Sequence, residues 1–158
     1  MKVANYITQL QRVYHGGNWV QESFVGKLKD LGDEQVFWQP LHGVHSVAEL
    51  VWHCTYWRVV NLSRLRGEKN SYRDTTMASQ NFLALDELKM KGWKTIRQEF
   101  DETQTKLINF LQDKTDAFLE NEYEPDHTYE FVMEGTIQHD YYHLGQIGLV
   151  MRMLKETI

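Results

Sequence analysis

Apolar side chains recur at steps of three and four residues through most of this 158-residue chain. That spacing places them along one face of an α-helix, and it limits the fold more than any other feature of the sequence. The chain has 10 glycines and two prolines, which is too few turn formers for the closely spaced turns of an all-β sandwich. The sequence therefore predicts an all-α fold.

Two of the expected helices have clear boundaries. The first is interrupted at Gly16-Gly17, where two adjacent glycines weaken a helix by roughly 2 kcal/mol relative to alanines, so we expect a break or a kink. The second begins at a capping box formed by Ser46 and Glu49 and ends at Gly67. Three arginines near its end are expected to face the helix C-terminus, where the dipole favours cations: Arg58, Arg64 and Arg66.

The second half of the chain predicts two more helices. Residues 68–85 are mostly polar and are expected to form a long surface connection. Asp86 can cap the third helix, residues 114–127 connect onward, and the last helix is expected from about Thr128 to Lys155. We find no internal repeat, and the whole of residues 1–158 is expected to form one domain.

Charge and cysteine content exclude several classes of protein. The chain carries 17 Lys+Arg against 22 Asp+Glu, a net charge of −5, whereas a nucleic-acid binder needs a basic face. Cys54 is the single cysteine, so neither an intrachain disulfide nor a multi-cysteine zinc site can form. No segment has the length and hydropathy to span a membrane or the apolar core of a signal peptide, so we expect a cytoplasmic protein.

The last helix carries two histidines, His139 and His143, within its apolar stripe. Side chains four residues apart on a helix lie about 6 Å from each other, so both imidazoles can reach one metal ion. Metalloproteases with an HExxH motif use this spacing, but Asp140 follows the first histidine here, so their glutamate base is absent. The spacing alone also occurs without any metal, and burial in the stripe is what favours a ligand role.

A third ligand has to come from another helix, and His53 is the best placed because it lies two turns inside the second helix. His127 lies about 18 Å along the helix axis from His139 and cannot join it. His42 and His45 precede the capping box, at one end of the expected bundle. A core histidine bonded to one carbonyl is the alternative interpretation of His53.

Two stretches of sequence resemble the DinB family, also called the DinB/YfiT-like superfamily of metalloenzymes. The first is Trp52-His53-Cys54-Thr55-Tyr56-Trp57, and the second runs from Gln138 to Gln146 and contains the pattern His-x-x-x-His-x-Gly-Gln. The resemblance covers essentially the whole chain. It implies a four-helix bundle with long crossover connections and one divalent metal ion held by His53, His139 and His143. Zinc or nickel suits such nitrogen ligands best, and iron or manganese is also acceptable.

The resemblance also implies a range of functions. Relatives in the family include S-transferases that use low-molecular-weight thiols such as bacillithiol or mycothiol, so a metal-dependent thiol transferase acting on a small molecule is the first hypothesis. Hydrolysis is the second activity considered, and the alternative from another class is a non-catalytic, divalent-metal-binding stress-response module. The family's tendency to pair, together with 13% aromatic residues, predicts a homodimer.

Several neighbours of these histidines have two interpretations. Gln146 and Glu49 can each orient a ligand imidazole from outside the metal shell, although Gln146 also suits a core amide and Glu49 is explained by the capping box. Cys54 points about 100° away from His53 around the helix, so we expect it to pack in the core. Gly145 is expected to permit close helix packing.

Overall fold

The computed structural model describes residues 1–41, 43–68 and 79–157, most of which are helical. Its α-helices are α1 (Lys2–His15), α2 (Phe24–Leu28), α3 (Asp33–Val36), α4 (Val47–Leu65), α5 (Leu85–Lys91), α6 (Trp93–Gln112) and α7 (Tyr129–Thr157). A 3-10 helix (Asp116–Glu120) and a short antiparallel hairpin of β1 (Glu122–Glu124) and β2 (His127–Thr128) lie between α6 and α7. None of these helices is both long and apolar enough to cross a membrane. The all-α prediction is confirmed.

Both predicted boundaries in the first half of the chain are present. Helix α1 ends before Gly16 and Gly17, whose φ angles of 115° and 79° lie in the region that glycine adopts without strain. At the start of α4, the Ser46 hydroxyl accepts a hydrogen bond from the Glu49 amide at 3.3 Å. The Glu49 carboxylate in turn accepts one from the Ser46 amide at 2.7 Å, which completes the capping box.

The prediction of one helix beginning at Asp86 is wrong. The chain forms two helices there, because Gly92, at a φ of 80°, separates α5 from α6. Asp86 lies inside the first turn of α5, and the residue at the N-terminus of that helix is Ala84. The Ala84 amide donates to the Glu87 carboxylate at 2.9 Å, so a glutamate in the first turn closes this end.

The four longest helices position the candidate site. Helix α4 packs against both α6 and α7, and α1 packs against the same two helices. This arrangement supports the four-helix bundle expected from the sequence, which together with its long crossover connections stays a prediction. The connection predicted over residues 68–85 lies partly outside the described residues, which resume at residue 79.

A polar layer divides the buried interior where α4 and α7 cross. One apolar cluster reaches this layer at Cys54 and Leu144, and the other reaches it at Leu62 and Ile137. Buried polar side chains of the two helices pair between the clusters: Arg58 with Asp140, and Asn61 with Thr136. The histidines singled out in the sequence lie at this level of α4 and α7.

Candidate metal centre

The structure brings His53, His139 and His143 together. Nε2 of His139 lies 3.1 Å from Nε2 of His53 and 3.0 Å from Nε2 of His143. His53 projects from α4, and the other two project from successive turns of α7. His53 and His143 are buried, and His139 is partly buried. The predicted convergence of one histidine of the second helix with two of the last helix is therefore present.

The electrostatics of the cluster suit a cation. Burial, and then the charge that a neighbouring imidazole would carry, lowers the pKa of His53 to about 4 and that of His139 to about 3. Burial lowers the pKa of His143 as well. All three rings are therefore neutral at pH 7, which is the state that metal coordination requires. Three neutral imidazoles would leave a further coordination position for a small molecule.

Gln146 contacts the cluster directly. Its side-chain oxygen lies 2.6 Å from Nδ1 of His143, and its side-chain nitrogen donates to the Tyr142 hydroxyl at 3.2 Å. An amide oxygen at Nδ1 accepts the proton of that nitrogen, so the lone pair of the imidazole lies on Nε2 and points at the other two rings. This is the geometry of an orienting partner of a metal ligand.

Glu49, the other orienting candidate, is engaged elsewhere. Its carboxylate accepts hydrogen bonds from the Ser46 amide and from the Gln39 side chain at 2.9 Å, and it lies 3.1 Å from Nδ1 of His45. Its bonds therefore go to the capping box and to His45. Among the residues that the structure describes, Gln146 is the one of the two that bonds to a histidine of the cluster.

Aromatic rings surround His53. Phe82 stacks on its imidazole with ring centroids 4.1 Å apart, and the opposite face of Phe82 stacks on His45 at the same distance. The Trp57 ring lies 6.4 Å from that of His53 and 6.2 Å from that of His139. Phe82 comes from the segment predicted as a surface connection, and its position beside Leu83 in an otherwise polar stretch is the signal that could have identified it.

Arg58 is not at the helix end that the sequence predicted for it. It is 1% exposed, and its guanidinium donates to the Asp140 carboxylate, with Nη2 2.7 Å from Oδ2. The guanidinium also lies over the Phe100 ring at 4.4 Å. The predicted position at the helix end is wrong for Arg58, because the interior carboxylate of Asp140 on α7 is a stronger partner than solvent-exposed carbonyls are.

Cys54, His139 and Asp140 form a second group whose ligand atoms lie within 4.8 Å of one another. This set is a poor metal site for two reasons. Burial raises the pKa of the Cys54 thiol well above its ordinary value, and the charge of Asp140 raises it further. The Asp140 carboxylate is already paired with Arg58. The three histidines are neutral and, among the described residues, their Nε2 atoms form no ion pair. They are therefore the better donor set.

The other histidines lie apart from the cluster or outside the described part of the chain. His127 is in β2 and packs against Tyr123 and Phe131, with ring centroids 5.9 and 4.6 Å away. His45 is joined to the cluster through Phe82, whose ring stacks on both His45 and His53. His42 lies outside the described residues.

Gly145 does not have the role expected of it. It lies on the exposed face of α7, and a Cβ added there would meet no atom within 4 Å. The expectation of close helix packing at this residue is therefore wrong within the described chain. At this level of α7 the buried residues are Leu144 and Ile147, which belong to the apolar cluster that includes Cys54.

Comparison with known proteins identifies the family of this chain. Residues 17–147 match the family model described as the DinB superfamily. Neither a curated protein nor a solved structure gives a further match. The matched region contains all three clustered histidines and covers most of the 158 residues, so the chain belongs to the DinB superfamily.

Proposed function

We propose that the chain binds one divalent metal ion through Nε2 of His53, His139 and His143. The observation that carries this proposal is the convergence of three neutral imidazole nitrogens, at 3.0 and 3.1 Å, in a largely buried position. Without an ion, these lone pairs face one another with too few protons to pair them all. Zinc or nickel is the expected ion, with iron or manganese as further candidates.

The activity we propose is metal-dependent thiol transfer to or from a small molecule, with hydrolysis as the second activity. A divalent ion held by these three imidazoles would supply Lewis acidity, which would favour ionisation of a thiol or of water. Of these two activities, thiol transfer needs less help from a general base, and the carboxylates near the cluster are already engaged. The carboxylate of Asp140 is held by Arg58, and that of Glu49 is held in the capping box.

An external thiol fits the site better than the chain's own cysteine does. Cys54 is fully buried, and its thiol is held in the protonated form by burial and by the charge of Asp140. A buried thiol of this kind is a poor nucleophile. The nucleophile is therefore expected to arrive with the substrate, as a low-molecular-weight thiol.

Titration of the metal-free protein with Co²⁺ tests the metal site, because the visible spectrum of the ion reports its ligands. We expect one equivalent of Co²⁺ to bind, with the visible spectrum of an ion that has a low coordination number. The variants His53→Ala, His139→Ala and His143→Ala should lose that spectrum. His15→Ala is the matched control, since His15 is an exposed histidine at the end of α1, and it should behave as the parent does. Binding that survives all three substitutions would contradict the proposal.

The non-catalytic alternative has one observation in its favour, which is the aromatic enclosure of His53 by Phe82 and Trp57. Addition of a small thiol to the Co²⁺-loaded protein separates the two functions. A transferase should show a sulfur-to-cobalt absorption band and should consume the thiol when an electrophile is added. A metal-binding module with a closed site should show neither change while keeping its cobalt.

A further inference from the structure

Two buried polar atoms next to the histidine cluster lack hydrogen-bond partners among the residues that the structure describes. They are Nδ1 of His53 and the side-chain oxygen Oδ1 of Asn81. A buried polar atom without a partner costs free energy comparable to a lost hydrogen bond. One of the two atoms can donate and the other can accept, so each supplies what the other lacks.

Contacts on both sides of Asn81 hold it against His53. The indole of Trp52 donates to the Gln80 carbonyl at 2.8 Å, which fixes the residue before Asn81 to α4. Phe82, the residue after it, stacks on the His53 ring with centroids 4.1 Å apart and planes inclined by 12°. The short segment from Gln80 to Phe82 therefore lies beside this imidazole, where the backbone and the side chain of Asn81 interact with it.

We propose that Asn81 is a positioning residue for His53, whose side-chain oxygen accepts the Nδ1 proton and so directs the Nε2 lone pair toward His139 and His143. The inference rests on the proposed metal site, because an Nε2 lone pair is what a metal ligand needs. It assigns a role to a residue in the connection before α5, outside the two sequence motifs that point to the metal.

The arrangement at His143 supports this role. There, the amide oxygen of Gln146 lies 2.6 Å from Nδ1 and leaves Nε2 free to face the cluster. Asn81 offers His53 the same chemical group on the corresponding nitrogen. Burial lowers the pKa of His53, whereas the backbone carbonyl of Asn81 and, to a lesser extent, its side chain raise it, as expected when oxygen acceptors face a ring N–H.

Zinc affinity measured by competition with a chromophoric chelator tests the proposal with a pair of variants. Removing the acceptor in Asn81→Ala should weaken Zn²⁺ binding by about 10–100-fold. Asn81→Asp keeps an oxygen acceptor and should bind Zn²⁺ within a few-fold of the parent or more tightly. Equal affinity of Asn81→Ala and parent, or equal losses in the two variants, would overturn the role of the side-chain oxygen.

Asn61→Ala is the matched control for loss of an amide side chain between helices. Asn61 is a buried amide of α4 that donates to the Thr136 hydroxyl at 2.9 Å and accepts from Arg64 at 2.9 Å, and neither partner is a histidine. The Asn61→Ala variant should have a lower melting temperature than the parent and an unchanged zinc affinity. A loss of affinity equal to that of Asn81→Ala would show that general destabilisation explains the effect, and it would overturn the proposal.

The tautomer of His53 in the metal-free protein gives a readout that depends on neither metal nor activity. Long-range ¹H–¹⁵N correlation at about pH 7.5 distinguishes a proton on Nδ1 from one on Nε2. We expect Nδ1–H in the parent and a shift toward Nε2–H in Asn81→Ala, and a parent ring protonated on Nε2 would overturn the inference. A parent that shows the expected tautomer but binds no zinc would instead refute the proposed metal site.

Discussion

The guanidinium of Arg58 and the carboxylate of Asp140 form a buried ion pair that joins α4 to α7, with Nη2 2.7 Å from Oδ2. Asp140 directly follows the ligand candidate His139, and Arg58 lies little more than one helical turn after His53. The pair therefore fixes the two helices against each other at the level where their histidines meet. Its exposure of 1% and 0% makes it sensitive to the loss of either partner.

Removal of the carboxylate in Asp140→Ala should destabilise the metal-free protein by about 3–5 kcal/mol, because it leaves a buried guanidinium without its counter-charge. The double variant Arg58→Met with Asp140→Leu should lose less, since no unpaired charge remains. Urea denaturation of the parent and both variants measures this difference. A cost below about 1 kcal/mol for Asp140→Ala would show that the pair is not a determinant of stability.

Acid should weaken the metal-free fold before its carboxylates titrate. The pKa values of His53 and His139, about 4 and about 3, are lower than the ordinary value of 6.5. Below about pH 6.5 the unfolded chain therefore binds more protons than the folded chain, and the free energy of unfolding falls as the pH falls toward these lowered values. Melting temperatures between about pH 7.5 and 5 measure the slope.

The matched variant for this experiment replaces His53 and His139 by glutamine, which does not titrate in that range. Its melting temperature should change less between about pH 7.5 and 5 than that of the parent. The same slope in the two proteins would mean that the buried histidines do not control acid sensitivity.

Cys54 should behave as an inert core residue. Its side chain is fully buried, and burial raises the pKa of its thiol, so a disulfide reagent should react with it only after denaturation. Cys54→Ala should retain the parent's metal content and should keep any turnover within a few-fold. A folded, metal-loaded Cys54→Ala protein without activity would identify the chain's own thiol as the nucleophile, against the assignment made above.

The homodimer expected from the sequence stays a prediction, and the outer face of α7 gives it a physical basis. Phe131, Tyr142 and Leu149 are each more than half exposed on this helix, and Gly145 lies between the last two. We expect light scattering to give the mass of a dimer at micromolar concentration. The Leu149→Asp variant should give a lower mass than the parent at the same concentration. A monomeric parent would remove the prediction.

Much of the candidate site could be predicted because its signals are local in the sequence. The spacing of His139 and His143 fixes their common face as soon as the last helix is recognised. The capping box at Ser46 sets the start of α4 and hence the depth of His53. Gln146 could be predicted in the same way, because residues three apart on a helix are neighbours. In the structure its side chain is hydrogen-bonded to that of His143.

The features that could not be predicted depend on contacts between distant segments. Whether Arg58 faces solvent or the interior depends on Asp140, which is 82 residues away. Phe82 and Asn81 lie in a connection without helical periodicity. The apolar pair Phe82-Leu83 stands out in that polar stretch, but no pattern in the sequence places either Phe82 or Asn81 beside His53. Gly92 is compatible with a helix interior at modest cost, and the φ of 80° that separates α5 from α6 is visible only in the structure.

X-ray absorption at the zinc edge of the loaded protein tests whether three histidines hold the ion, because it reports the ligand atoms around the ion. We expect nitrogen ligands of imidazole type at about 2.0–2.1 Å, with the multiple-scattering pattern of three histidines. These would be His53, His139 and His143, each of which has a ring nitrogen within 4.8 Å of one in each of the other two. In thiol-free buffer, a sulfur ligand at about 2.3 Å would instead place the ion on Cys54 and contradict coordination by the three histidines.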